Sequence, residues 1–412
     1  MINIKTIQQL WSAVILHQND GDSDTAAMTN VYGRMAPQLT YQDLANVLSA
    51  VYADTYWSST FMDSTILATN MVSALNISNA VATQYASNAV TQWYGTFTRN
   101  NFSDTGTIPQ TTDFTSCVDT ICSGQSQMST DTLINNWGTS YWTAPQVGKN
   151  YMYARCQNLN FMGNILPNVQ MYSITPGMNV PTSQWTQLKT ASECSTTGQI
   201  YLLGGATGTM AQGVHGVSEA FIFNPTSTDH ICIATVFNDG QYFTQNNPLT
   251  VPQSNWNAVT WVTYTGAAGW HNTNPVTEEV TALDFYNQDA RPEKFAFVAH
   301  CNKLPKGTVI KLDPQLQDSA SNNGEISQCC QEVSTEATLP ANYNGKLLVS
   351  IKTPDGKPLP EGASVKVEML WLLDREHERH LDAAKLMGTL NTTKMSQTVK
   401  LSMGSFTLYG AE

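Results

Sequence analysis

Three carboxylates alternate in Asp20-Gly-Asp-Ser-Asp24, the arrangement that opens a calcium-binding loop. Asp20, Asp22 and Asp24 could each offer oxygen to a metal. However, Thr25 stands where the loop needs glycine, and Val31 where it needs a bidentate glutamate. The segment therefore reads as a solvated loop that caps the next helix. His377-Glu-Arg-His380 sets two imidazoles three apart, so on a helix both His377 and His380 could face one metal. No third ligand is identifiable, and Asp374–Asp382 mixes both signs, as a salt-bridged surface segment does. His300, Cys301, Cys329 and Cys330 could form a zinc site if their strands converge, although the spacing is not that of a ribbon or finger. Gly204-Gly-Ala-Thr-Gly208 lacks the Lys-Ser/Thr of a phosphate loop and reads as a flexible turn. There is no Gly-x-Ser-x-Gly elbow, and spacing assigns no Ser, His and Asp to a triad. A non-enzyme without a cofactor is expected.

The aromatics carry more weight. Trp137, Tyr141, Trp142, Trp256, Trp261, Tyr264, Trp270 and His271 gather at expected strand ends and loops. Aromatic rings beside Gly and Asn suit sugar stacking and protein interfaces, while a sandwich core would absorb most of them. The binding candidates are Trp142, Trp256, Tyr264, Trp270 and His271. The pair Trp270-His271, in Gly-Ala-Ala-Gly-Trp-His-Asn272, is expected to be exposed.

The elements that must position these residues follow from patterning. Ile4, Ile7, Leu10 and Val14 recur at helical spacing, as do Leu44, Val47, Leu48 and Val51, then Leu67, Met71 and Leu75, then Val81, Tyr85, Ala89, Trp93 and Phe97. Residues 1–102 thus read as a helical bundle, and 103–133 as a linker or extended arm. From about residue 134 the period falls to two, in 151–156, 169–172, 220–223, 230–236 and 259–264. This predicts a β-sandwich over 134–275. On the first strand Met152, Ala154 and Cys156 are expected to face the core, opposed by Cys232, Ala234 and Val236. Strands at 280–286, 294–301, 308–312, 346–352, 364–373 and 398–409 predict a second sandwich over 276–412, interrupted by a charged insert at 374–387. The class expected is α+β: an N-terminal helical bundle followed by two immunoglobulin-like antiparallel β-sandwiches.

Charge divides the chain in the same way. Of 412 residues only 13% are charged, against roughly 25% in ordinary domains. Six of the 20 cations lie in residues 1–275, namely Lys5, Arg34, Arg99, Lys149, Arg155 and Lys189; the remaining 14 lie beyond. The net charge of −12 argues against nucleic acid and against anionic lipid. No apolar run reaches the roughly 18 residues of a spanning helix. The N-terminus makes a poor signal peptide, so synthesis in the cytoplasm and export, if any, by a leaderless route are expected. The eight cysteines are then expected to be reduced by default. Cys117–Cys122 is the pair best placed to bridge, and Cys156 and Cys232 are expected as neighbouring free thiols.

Around residues 131–273, Trp142-x-x-Pro145-x-x-Gly148-x-x-Tyr151-x-Tyr153-x-Arg155-x-x-Asn158, then Val169-x-x-Tyr172, Trp185, His230-x-Cys232 and Asn246-Asn247, resemble a bacterial immunoglobulin-like module of the cell-adhesion-related type. The resemblance implies a spacer, adhesion or surface-display role. Together with the scarcity of charge, which leaves little repulsion between copies, it leads to the expected function. This is a bacterial structural, self-assembling or surface-interaction protein, with a second copy, another protein or a surface glycan as partner. The alternatives are a pore-forming or insecticidal-type toxin component with a helical effector domain, and a metal-dependent hydrolase.

Overall fold

The computed structural model describes residues 68–69, 72, 78–80, 83, 93 and 95–409, except 111–113, 160–163, 212, 227–230, 239–248, 251–252, 273–279, 317–320, 329 and 388–397. Twelve strands arise before residue 273: β1 (Thr96–Phe97), β2 (Thr120–Cys122), β3 (Asn150–Asn158), β4 (Asn168–Ile174), β5 (Gly177–Met178), β6 (Thr186–Gln187), β7 (Lys189–Thr190), β8 (Gly198–Tyr201), β9 (His215–Ser218), β10 (Phe221–Phe223), β11 (Cys232–Asn238) and β12 (Ala268–Asn272). Helices α1 (Thr130–Asn135) and α2 (Asn255–Tyr264) lie among them. Eleven of these strands form one antiparallel sheet, ordered β12-β11-β4-β8-β9-β3-β10-β7, with β1 and β2 also on β3 and β6 on β4.

That sheet folds back on itself. Residues 115–117, just before β2, hydrogen-bond to β12: Cys117 N donates to Trp270 O at 2.9 Å and Asn272 N to Thr115 O at 2.9 Å. The segment expected as a linker thus connects the β12 edge to the β2–β3 part of the sheet. The sequence permits this at Ala267-Ala268-Gly269, because a Cβ on Gly269 would sit 2.5 Å from Cys117 Sγ. Thr120 Oγ1 and Thr235 Oγ1, 3.2 Å apart, tie β2 to β11 across the interior.

The second half holds β13 (Val280–Asn287), β14 (Glu293–Asn302), β15 (Val309–Asp313), β16 (Asn322–Glu325), β17 (Cys330–Leu339), β18 (Tyr343–Lys352), β19 (Ser364–Asp374), helix α3 (His380–Leu386) and β20 (Thr398–Tyr409). Sheets β16-β15-β18-β13-β5 and β17-β14-β19-β20 face one another as a sandwich. Phe285 and Phe297 meet between them at 4.8 Å. Alternation is clear in β17, where Val333, Thr335, Ala337 and Leu339 are buried and their neighbours are not. Strand β5 comes from the first half but pairs in parallel with β13, so the halves are stitched together.

The expected α+β class is corrected: strand far outweighs helix among the described residues, and no N-terminal helical bundle stands among them. Residues 68, 69, 72, 79, 80 and 83 are helical, but the long helix expected through Trp93 and Phe97 is not formed. Gly95 takes φ 129°, which turns the chain out of a helix, and Thr96–Phe97 then pairs with β3. Trp93 is buried in the β core. The helices expected over 4–14 and 44–51 lie outside the described residues.

Three local readings also change. The alternating run 259–264 is helix, not strand. Ser254 caps it, accepting from Asn257 N at 3.2 Å, and packing overrides the β-branched composition. Met152, Ala154 and Cys156 are buried as expected, but so are Tyr153 and Arg155, because α1 and its flanks cover the other face. On β11 the parity is opposite to expectation. Ile233 and Phe237 join the cluster that contains Met152, while Cys232, Ala234 and Val236 pack against Trp261. Cys156 therefore lies by Met210 and Cys232 by Asn272, not beside each other.

Candidate functional site: an aromatic cleft between the two halves

Four rings from distant segments converge at the junction. Trp185 follows a short 3-10 turn after Pro181; Trp261 is on α2; Trp270 is on β12; Phe114 precedes the pairing segment 115–117. Trp185 meets Trp270 edge-to-face at 5.5 Å and 76°, and leans on Trp261 at 6.2 Å and 50°. Phe114 meets Trp270 at 6.3 Å and 87°. The rings wall a cleft of about 580 Å³, counting its open mouth. Its other wall comes from the second half, where β20 carries a bulge. Met369 pairs with Gly404 and Leu370 with Ser402, so Met403 is the extra residue. Gly404 takes φ 137°, a conformation side chains resist.

The halves meet beside the cleft through amides. Asn255 Oδ1 accepts from Asn179 Nδ2 and from Gln288 N, each at 2.9 Å, and Asn255 Nδ2 donates to Asn287 Oδ1 at 2.7 Å. Gln288 Nε2 donates to Asn179 O at 2.7 Å and to Asn179 Oδ1 at 2.9 Å.

The candidates named from sequence scatter. Trp270 lines the cleft, with Nε1 donating to Asn272 Oδ1 at 3.2 Å. His271, its neighbour in β12, points to the opposite face, as alternation requires. There it stacks on Trp142 at 3.5 Å, and its Nδ1 lies 2.9 Å from Cys117 O. The pair expected to be exposed is thus half-buried and split between two faces. Trp256 packs edge-on to Trp371 at 6.5 Å, away from the other candidates. Tyr264 ends α2. Asp20, Asp22 and Asp24 lie outside the described residues.

The metal readings separate too. His377 Nε2 bonds the buried Glu293 at 3.1 Å, which also accepts from Trp371 Nε1 at 2.9 Å. His380 is buried and directs Nδ1 at Leu373 O, 3.0 Å away, so the two imidazoles do not share a ligand. His300 lies between Glu332 and Glu368, and these partners raise its pKa. Among the described residues no cluster of three metal-ligating side chains is assembled. Cys117 and Cys122 are both thiols, and burial pushes Cys122 up to about 11 and Cys232 up to about 12. Neither is a nucleophile at neutral pH.

Burial also pushes His271 down to about 4, against 6.5 for an ordinary histidine; the Cys117 carbonyl opposes this only in part. Between those values the unfolded chain binds the extra proton, so this residue's contribution to stability falls as pH drops from 6.5 toward 4. The His271 ring resonances should stay flat from neutral pH downward and move with a midpoint near 4. A midpoint at or above 6.5 would show that the ring is not held neutral.

One buried site was missed altogether. Asp119, fully buried, accepts from Arg99 Nε at 2.9 Å and Nη2 at 2.8 Å, and from Arg155 Nε at 2.9 Å. The guanidiniums donate onward to the carbonyls of Trp137, Val118 and Asn136. Arg99 also lies 3.7 Å over Trp137, which stacks on His215 at 4.1 Å.

No family model matches the chain, and no curated protein matches it. The immunoglobulin-like adhesion family is therefore not identified; what stands is an antiparallel β-sandwich architecture, read from the strand pairing. Among solved structures, red sea bream transglutaminase is similar over 55% of this chain at 11% identity and TM-score 0.14. The chain spans 27% of that enzyme. Collagen adhesin from S. aureus matches over 65% of this chain and 92% of its own at 11% identity and TM-score 0.12. The N-terminal region of an enterococcal surface protein matches over 54% and 85% at 6% identity and TM-score 0.14. Likenesses at such scores carry no argument about fold or role.

Proposed function

We propose that the protein acts by contact and not by bond-making, as a structural or surface-interaction component whose first half associates with a protein surface, foremost a second copy of this chain. The observation that carries this reading is the fate of the cations before residue 273. Four lie on described residues: Arg99 and Arg155 are buried around Asp119, and only Lys149 and Lys189 reach the surface. An outside so poor in charge has little repulsion to hold copies apart. The same half exposes Val147, Leu166 and Leu203 to 54%, 66% and 57%.

Sedimentation of the wild-type chain should show concentration-dependent association. Leu203→Asp and Val147→Asp place charge on that surface and should weaken association by about tenfold, since like charges brought together cost binding energy. Both sites are exposed, so stability should change by less than roughly 0.5 kcal/mol. Association indifferent to both changes would move the contact away from these residues, and its absence would end the reading.

A further inference from the structure

We propose that the aromatic cleft binds a neutral saccharide, with a sugar ring laid against an indole face. This rests on the contact reading above and names a second kind of contact for the same molecule.

The cleft walls are half-exposed. Trp185, Trp270 and Phe114 each keep part of their ring surface in water, while Trp261 is buried behind them. Their steep mutual angles, with Tyr172 also against Trp185 at 5.6 Å, hold the rings in place, and the half-exposed indoles remain for a ligand to meet. Between the rings stand amides and hydroxyls: Asn179, Gln288, Gln253, Thr182 and Ser402. Among the described residues no Asp, Glu, Lys, Arg or His lines the cleft. An ion would find no counter-charge here, whereas a polyhydroxyl ligand finds both donors and acceptors.

One group requires a donor. Both Gln288 Nε2 bonds go to Asn179, which fixes the orientation of the amide. Its Oε1 is buried without a hydrogen-bond partner. Such an orphan acceptor is costly when left unmet; it lies beneath the cleft surface, so a ligand hydroxyl would reach it only after a shift of the amide. Shape points the same way. A cleft open to solvent leaves part of its ligand in water, which suits a sugar and penalises a wholly apolar molecule. The β20 bulge at Met403, with Gly404 beside it, shapes the opposite wall, a placement common next to binding sites.

The test titrates the intact chain with cello-, xylo-, malto- and N-acetylglucosamine oligosaccharides. It reads tryptophan fluorescence and saturation-transfer NMR of the sugar. At least one neutral series should saturate at or below roughly 10 mM. Trp185→Ala and the cleft-filling Ala258→Phe should each weaken it by about tenfold or more, with melting temperature measured alongside to confirm folding. If every neutral series fails to saturate with the wild-type chain, the proposal is overturned. It is equally overturned if folded Trp185→Ala and Ala258→Phe bind as the wild type does, or if sialylated or sulfated sugars bind better than neutral ones. Failure of the sugar in a chain that self-associates removes this site alone, whereas sugar binding by a chain that never self-associates removes the assembly reading alone.

Discussion

Asp119→Asn should destabilise the fold by about 3–5 kcal/mol, the largest effect of any single charge change considered. The substitution preserves shape and removes one negative charge. It leaves two guanidiniums in the protein interior with only carbonyls to answer them, and Arg155 is fully buried. Burial already lowers the Arg155 pKa, with Asp119 the main opposing influence. Urea unfolding followed by tryptophan fluorescence measures the loss, and the exposed control Glu193→Gln should stay within about 0.5 kcal/mol. A loss below about 1 kcal/mol would mean that water reaches the trio, and the surface would then be more charged than described.

Asn287→Leu should cost about 3 kcal/mol and loosen the join between the halves. Asn287 Nδ2 donates to Arg291 O at 2.9 Å and to Pro340 O at 2.7 Å, while Oδ1 accepts from Asn255 Nδ2 and from Asp289 N. Leucine matches its size but strands all of these partners, and Asn255 is fully buried. Asn255 in turn holds Asn179 and the Gln288 backbone, so the defect reaches the cleft. Urea unfolding gives the magnitude, and amide exchange in α2 should accelerate in the variant. Unchanged exchange there would show that this amide network does not hold the halves together.

Strands were legible where the buried positions are large apolar residues. Both β14 and β19 were read within a residue or two, β19 because Val365, Val367, Met369 and Trp371 alternate and β14 because Phe295 to Ala299 is an unbroken apolar run. Strand β17 escaped, since its buried face includes Thr335 and Ala337, which give no hydrophobic signal. Helix α2 was read as a strand because Val259, Thr260, Val262 and Thr263 are β-branched, and only the Ser254 cap argued otherwise. Arg155 looked like a solvent-facing residue. Its burial depends on Asp119, a partner 36 residues away that no local pattern reveals. The cleft was half legible. Trp270 was named from its glycine-rich surroundings, but Trp185, Trp261 and Phe114 come together only through the sheet's closure by residues 115–117. The uncharged character of the first half was plain from composition. Burial of half its described cations, together with Asp119, leaves fewer charges on the surface than composition alone implies.

The most direct test is sedimentation velocity of the wild-type chain over a wide concentration range, at low and at physiological salt. Contact through an almost uncharged surface predicts reversible association whose strength barely changes with salt, because screening has few charges to act on. A chain that remains monomeric at roughly 1 mM, or one whose association vanishes as salt rises, would contradict it.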